Sequence, residues 1–191
     1  MLEQRIQQHF IDSADLKYQA AQALSQPITA AVQAIWACVT NGAKVLACGS
    51  GPSAAQAQQL AAFCVTGFER ERPELAALAL VPDALWLAAA TTGAGADIAA
   101  LARQVRALGQ AGDLLLAITI AGNEPAMLEA VQAAHERDMT VVALTGRDGG
   151  ALATLLRETD VQICVPHDRP ARVREVHALV LHCLCDGVDA Q

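Results

Sequence analysis

The stretch Lys44-Val-Leu-Ala-Cys48-Gly49-Ser50-Gly51-Pro52-Ser53 decides the fold, because a short apolar run breaks into a glycine-rich turn and reopens as a helix through Ala61. In a strand–turn–helix unit, free backbone N–H groups and the positive end of the helix dipole converge on one spot, a ready seat for an anion. Gly49 and Gly51, with Ser50 between them, permit positive φ and close approach of a ligand. Ser53 either donates its hydroxyl to that ligand or serves as the N-cap of the helix. The helix that follows carries Gln56, Gln59, Ala62 and Phe63, which supply no acid, no histidine and no metal ligand.

Working outward from this unit, apolar runs at 44–48, 76–81, 113–119, 140–145 and 161–165 are each short, continuous and bounded by Gly, Pro, Asp or Asn. Continuous rather than alternating apolarity means that both sheet faces are covered, which defines a parallel sheet in an α/β sandwich. Helices are expected between the strands at 53–67, 97–110, 124–137 and 170–188. Two amphipathic helices precede the sheet, at 2–24 and 27–41, with Pro27 suited to a first helical turn. Residues 1–191 contain no internal repeat or low-complexity tract and read as one domain, an α/β core at 43–191 with helices at 1–42.

Composition narrows the function classes. The chain has 191 residues, 53% hydrophobic and only 3% aromatic, so its core is built on Ala, Leu and Val. A net charge of -7 argues against direct nucleic-acid binding, which needs a basic surface to neutralise phosphates. The N-terminus carries Glu3, Arg5 and Asp12 and lacks the apolar segment of a signal peptide, and Leu75–Ala90 is interrupted by Pro82 and Asp83, so a cytoplasmic protein without a membrane segment is expected. Cys38, Cys48, Cys64, Cys164, Cys183 and Cys185 lie in apolar segments without ligand-pair spacing and read as buried thiols.

In open α/β sheets, ligands bind beyond the carboxyl ends of the strands. Besides the first turn, two loops stand there. Thr119-Ile-Ala-Gly122-Asn123-Glu124 offers Thr119, Gly122 and Asn123 as donors, while Glu124 either opens the next helix or repels an anion seated beside it. Thr145–Gly150 has the Asp-Gly-Gly punctuation of a turn and no nucleophile. On the last helix, Arg174, His177 and His182 share an edge; the histidines there are either pocket or packing residues.

Across nearly the whole chain, KVLACGSGPSAAQAQQLAA, GDLLLAITIAGNE, MTVVALTGRDGG and RVREVHALVLHCLCD are similar to the sugar-isomerase (SIS) domain of the phosphoheptose isomerase group. Within that group, 103–113, 137–146, Phe68–Pro73 and Cys183–Asp186 resemble the DiaA-type branch, which associates with the replication initiator DnaA. The resemblance implies a flavodoxin-like five-stranded sheet and a homotetramer built partly through the N-terminal helices. It also implies that the isomerases carry histidine and glutamate where this chain has Gln59 and Phe63, and glutamine and histidine where it has Arg174 and His182.

An aldose–ketose isomerisation needs a base and often a metal, and Gln59 and Phe63 serve neither purpose. The expectation is therefore a non-catalytic homotetramer that binds a DnaA-type initiator and promotes its assembly at the origin, presenting several contacts from one symmetric body. Its residual phosphosugar pocket would comprise Gly49, Ser50, Gly51, Ser53, Gln59, Thr119, Gly122, Asn123, Arg174 and His182, with no catalytic residue and no cofactor. The resemblance also implies a tail that continues past the position of Gln191, and if initiator contacts lie in that tail they would be missing here. The alternative is a phosphoheptose isomerase, using zinc, or another phosphosugar-binding enzyme or sensor.

Overall fold

The computed structural model describes residues 1–81 and 98–191. Its elements run α1 (Leu2–Thr40), β1 (Val45–Gly49), α2 (Ser53–Thr66), β2 (Ala77–Ala79), α3 (Ala99–Leu108), β3 (Leu114–Ile118), α4 (Pro125–Glu136), β4 (Thr140–Gly146), α5 (Gly150–Leu155), β5 (Val161–Val165) and α6 (Pro170–Asp189). All strands are parallel, in the order β2-β1-β3-β4-β5. This is the three-layer, flavodoxin-like architecture expected. Pro82, Asp83 and the start of the helix expected at 97 lie outside the described residues.

The period of two along each strand splits the core. Val45 and Ala47 of β1, with Leu114, Leu116 and Ile118 of β3, pack beneath α1, α2 and α6. Leu46, Cys48, Leu115 and Ala117 point the other way, beneath α3, α4 and α5. Both faces are dry, which is why the strands read as unbroken apolar runs.

The N-terminal pair of helices is in fact one helix. α1 continues for 39 residues through Pro27. A proline inside a helix costs roughly 3 kcal/mol by removing one hydrogen bond and crowding the preceding turn. Leu16, Ala20 and Leu24 before it, and Ala31, Val32, Ile35 and Cys38 after it, are all buried in the same core. Each large apolar side chain buried there contributes about 1.5–3 kcal/mol, so a continuous stripe outweighs the proline. α5, at the end of the Asp-Gly-Gly turn, was not expected: its six residues are too few for periodicity to mark it.

The sheet's amino end is pinned by Asp113, which is buried. Its carboxylate accepts hydrogen bonds from the Lys44 backbone N–H (2.9 Å), from Lys44 Nζ (2.6 Å) and from the Gln110 N–H (2.8 Å). The carboxyl ends of β1 and β3 are thereby left side by side at the point where strand order reverses, the position at which open α/β sheets take ligands.

Candidate functional site

Two loops frame this crevice, and they differ in what they leave open. The β1–α2 turn is tied to β3 by the Ser50 N–H, which donates to the Ile118 carbonyl at 3.0 Å. Gly49 is required because a Cβ there would sit 2.4 Å from the carbonyl carbon and oxygen of Ser53, where α2 begins. Gly51 is required for a different reason: its φ is +53°, while open space surrounds it. Ser53 does not cap the helix. Pro52 occupies the cap position, and the Ser53 hydroxyl is buried at 0% exposure with no partner among the described residues.

The β3–α4 loop is closed on itself. Thr119 Oγ1 donates to Glu124 Oε2 at 2.5 Å and accepts the Gly122 N–H at 3.1 Å. The Asn123 N–H also donates to Glu124 Oε2, at 3.1 Å, and Asn123 Oδ1 accepts the Ala151 N–H at 2.8 Å. Glu124 stands at the cap position of α4, yet its carboxylate turns back onto the loop instead of capping the helix. Gly122 is buried against the next loop, where a Cβ would meet the Gly149 carbonyl oxygen at 2.0 Å. Thr119, Gly122 and Asn123 thus spend on the protein the groups that their sequence positions offer to a ligand.

The remaining residues meet along the seam between α2 and α6. Gln56 Nε2 donates to the Arg174 carbonyl at 2.9 Å. One helical turn further along α2 comes the half-buried Gln59, and after it Phe63, whose ring lies edge-on to His182 with centroids 6.1 Å apart. Phe68 stacks on His182 at 5.2 Å and 28° and meets Phe63 edge-on at 5.0 Å. Phe68 was not singled out for this position; its place beside His182 depends on the chain turning back after α2. That turn is held by Arg72, whose guanidinium donates to the Phe63 and Cys64 carbonyls and to Asp189.

His177 parts company with Arg174 and His182. It is fully buried, and its Nε2 lies 2.9 Å from the Thr145 carbonyl, to which it donates. Burial pushes its imidazole down to about 4, so it stays neutral and serves packing. Of the cysteines, Cys38, Cys48, Cys64 and Cys185 are buried as expected, while Cys164 is half-buried and Cys183 exposed. Burial pushes the Cys48 and Cys185 thiols up to about 12 and those of Cys38 and Cys64 to about 11, which leaves these four unreactive.

Zinc was tied to the isomerase alternative, so its fit can be tested at this seam. Gln59, Phe63, Arg174 and His182 include one good ligand, His182, and among the described residues no group of three His, Cys, Asp or Glu side chains is arranged to hold a metal ion. The residues do not fit the metal, and no chemical step is derived through it.

The sequence profile of the SIS domain matches residues 8–146. The chain belongs to the SIS-domain family, in its phosphoheptose isomerase group. It is 60% identical over 192 residues to the phosphoheptose isomerase of Methylibium petroleiphilum, covering 100% of this chain and 95% of that one. It is 51% identical over 188 residues to that of Azoarcus sp., covering 97% and 93%. Among solved structures, phosphoheptose isomerase GmhA from Neisseria gonorrhoeae superimposes with a TM-score of 0.93 at 44% identity, and a phosphoheptose isomerase from Francisella tularensis with 0.94 at 39%, each covering 100% of both chains.

These relatives overturn the reading of the chain as an initiator-binding protein. That reading put the whole weight on Gln59 and Phe63, two positions on one helix. Identity spread over the full length, in proteins named for a sugar-phosphate reaction, places those substitutions inside the phosphoheptose isomerase group. The DnaA-type partner falls with it. No helix among the described residues is long and apolar enough to cross a membrane.

Proposed function

We propose that the protein is a phosphosugar-binding member of the phosphoheptose isomerase group, acting on a ketoheptose phosphate such as sedoheptulose 7-phosphate and converting it to glycero-manno-heptose 7-phosphate. The observation that carries this reading is the 60% identity, across the whole chain, to a protein named phosphoheptose isomerase. The sugar would lie over the carboxyl ends of β1 and β3, with Gly49, Ser50, Gly51 and Ser53 on one side and the α2–α6 seam on the other. Moving a proton between adjacent carbons needs a general acid–base group, and among Gln59, Phe63, Arg174 and His182 the imidazole of His182 is the side chain of that chemical type.

One observation favours a second reading, in which the same cleft binds a phosphosugar without turnover. The Phe63 ring stands at 6.1 Å from His182, in the place where the isomerase reaction calls for an acid. We also read the chain as one cytoplasmic domain that assembles into a homotetramer through residues 1–42. The support is the apolar, exposed side of α1, with Leu2, Ile6, Phe10, Ile11 and Tyr18, and the groove of about 340 Å³ that Leu24 and Ile28 form with Leu179 of α6.

Turnover of sedoheptulose 7-phosphate, followed with and without added zinc, and calorimetric titration of the same sugar phosphate separate these readings. Turnover above background establishes the isomerase. Binding without turnover establishes the second reading, and neither binding nor turnover overturns both.

A further inference from the structure

The geometry points to a second ligand site, a polar cavity beyond the carboxyl ends of β4 and β5 that takes an uncharged sugar through its neighbouring hydroxyls. It stands apart from the crevice over β1 and β3, where the ketoheptose phosphate is placed, and the β3–α4 loop lies between the two.

Three loops build the cavity, which measures about 460 Å³ and is lined by Asn123 after β3, Arg147 and Asp148 after β4, and Pro166, His167 and Asp168 after β5. That volume falls within the range of about 300–1,000 Å³ usual for small-molecule pockets. Its walls are fixed from behind. Asn123 Oδ1 accepts the Ala151 N–H at 2.8 Å, the Gly122 carbonyl accepts the Leu152 N–H at 2.9 Å, and the Ile120 carbonyl accepts the Gly146 N–H at 3.0 Å, which joins the first two loops. In the third, His167 Nδ1 accepts the Arg169 N–H at 3.0 Å.

These bonds leave a defined set of groups open. Asn123 keeps its two side-chain N–H donors, and His167, whose Nδ1 is occupied as an acceptor, carries its ring proton on Nε2. Asp148 uses one oxygen on the Gly150 N–H at 3.1 Å and keeps the other. Arg147 and Asp168 are exposed, and neither forms an ion pair among the described residues. Arg147 also has a φ of +59°, a conformation that only one other described non-glycine residue, Asp138, shares. Glycine adopts it at lower cost, so what the strained backbone retains at this position is the arginine side chain.

The mixture of groups selects the ligand class. A guanidinium, an imidazole N–H and a carboxamide offer donors, while two carboxylates offer acceptors. A phosphate would be repelled by Asp148 and Asp168, and a cationic ligand by Arg147. Among the described residues no group of three His, Cys, Asp or Glu side chains is arranged to hold a metal ion. A sugar hydroxyl both donates and accepts, and two adjacent hydroxyls match the paired oxygens of a carboxylate and the paired N–H groups of a guanidinium. An uncharged saccharide uses both kinds of lining group at once.

The test uses the full chain, isotopically labelled, with D-mannose and unphosphorylated sedoheptulose as uncharged probes and inorganic phosphate as the charged one. At least one of the sugars should shift the amides of Arg147, Asp148, His167 and Asp168, and phosphate should leave them in place. Asp168→Asn and Arg147→Gly should each weaken that sugar's binding about tenfold. Arg147→Gly relieves the positive φ, so its urea midpoint should be no lower than that of wild type, which separates lost binding from lost folding. Sugar-dependent shifts confined to Gly49, Gly51 and Gln59 overturn this site and leave the proposed reaction standing. An absence of shifts with both sugars, phosphate binding at Arg147 and His167 in preference to them, or sugar affinity within about threefold of wild type in both variants overturns it as well.

Discussion

Glu124 Oε2 accepts a 2.5 Å hydrogen bond from Thr119 Oγ1, so the loop between β3 and α4 carries its own anion. The same oxygen accepts the Asn123 N–H at 3.1 Å. Replacing the carboxylate by a short hydroxyl frees both donors and removes a repulsion that, near a protein surface, amounts to a few kcal/mol. Glu124→Ser is expected to create a phosphate site at this loop with a gain of about tenfold in affinity there. New phosphate-dependent shifts of the Gly122 and Asn123 amides, absent in wild type, are the measurement.

Gly49 and Gly51 are two residues apart and should respond differently to alanine. At Gly49 the added methyl would fall 2.4 Å from Ser53 backbone atoms that cannot move without displacing α2. Gly49→Ala is expected to cost about 3 kcal/mol in urea unfolding. At Gly51 the methyl meets nothing within 4 Å, and only the positive φ of +53° is penalised. Gly51→Ala should cost about 1 kcal/mol. Equal costs at the two positions would contradict the close approach at Gly49.

His177 makes stability depend on pH with a definite sign. Its folded value is held at about 4 by burial, below the ordinary value of 6.5 that the unfolded chain recovers. The unfolded state therefore binds the proton first as pH falls. The stabilisation is complete above about pH 6.5 and is lost on the way down to about pH 4, with a slope of at most about 1.4 kcal/mol per pH unit from this group. Denaturant midpoints measured across that window should fall with pH in wild type, and the slope should be shallower in His177→Gln.

Asp113 is a structural carboxylate whose removal should be felt at a distance from the cleft. It is 2% exposed and receives Lys44 twice, through the backbone N–H and Nζ, and Gln110 once. Asp113→Ala leaves two backbone donors unmatched and the ammonium of Lys44 without its partner, an expected loss of about 3 kcal/mol. Calorimetric unfolding gives the cost, and unchanged phosphate affinity in the folded variant separates it from the site.

Much of the fold was legible because its signals are local. The strands at 45–49, 114–118, 140–146 and 161–165 stand close to where continuous apolarity marks them, since a strand covered on both faces leaves no polar alternation. β2 is shorter than its apolar run, Ala77–Ala79 within 76–81. Pro27 misleads because a proline at a first helical turn and a proline tolerated inside a buried helix look alike locally. What separates them is the core beneath, where Leu24 and Ala31 on either side are both covered.

The site was legible in its parts but not in their use. The glycines of the β1–α2 turn, and the residues Gln59, Phe63, Arg174 and His182, are recognisable from type and spacing. Whether a donor is free is another matter. Thr119 and Asn123 read as open until Glu124 is seen bonded to both, and Ser53 reads as either a helix cap or a ligand donor until its hydroxyl is found buried without a partner among the described residues.

The sequence by itself determined a parallel α/β sheet, a glycine turn at a helix start, and membership of the SIS-domain family, because periodicity, glycine placement and residue identity act over a few neighbouring positions. Only the tertiary structure decided which polar groups remain available. That question is settled between segments far apart in the chain: Gln56 against Arg174, Phe68 against His182 and Gly122 against Gly149. A hydrogen bond spent within the protein is not available to a ligand, and what spends it is the packing of the whole fold.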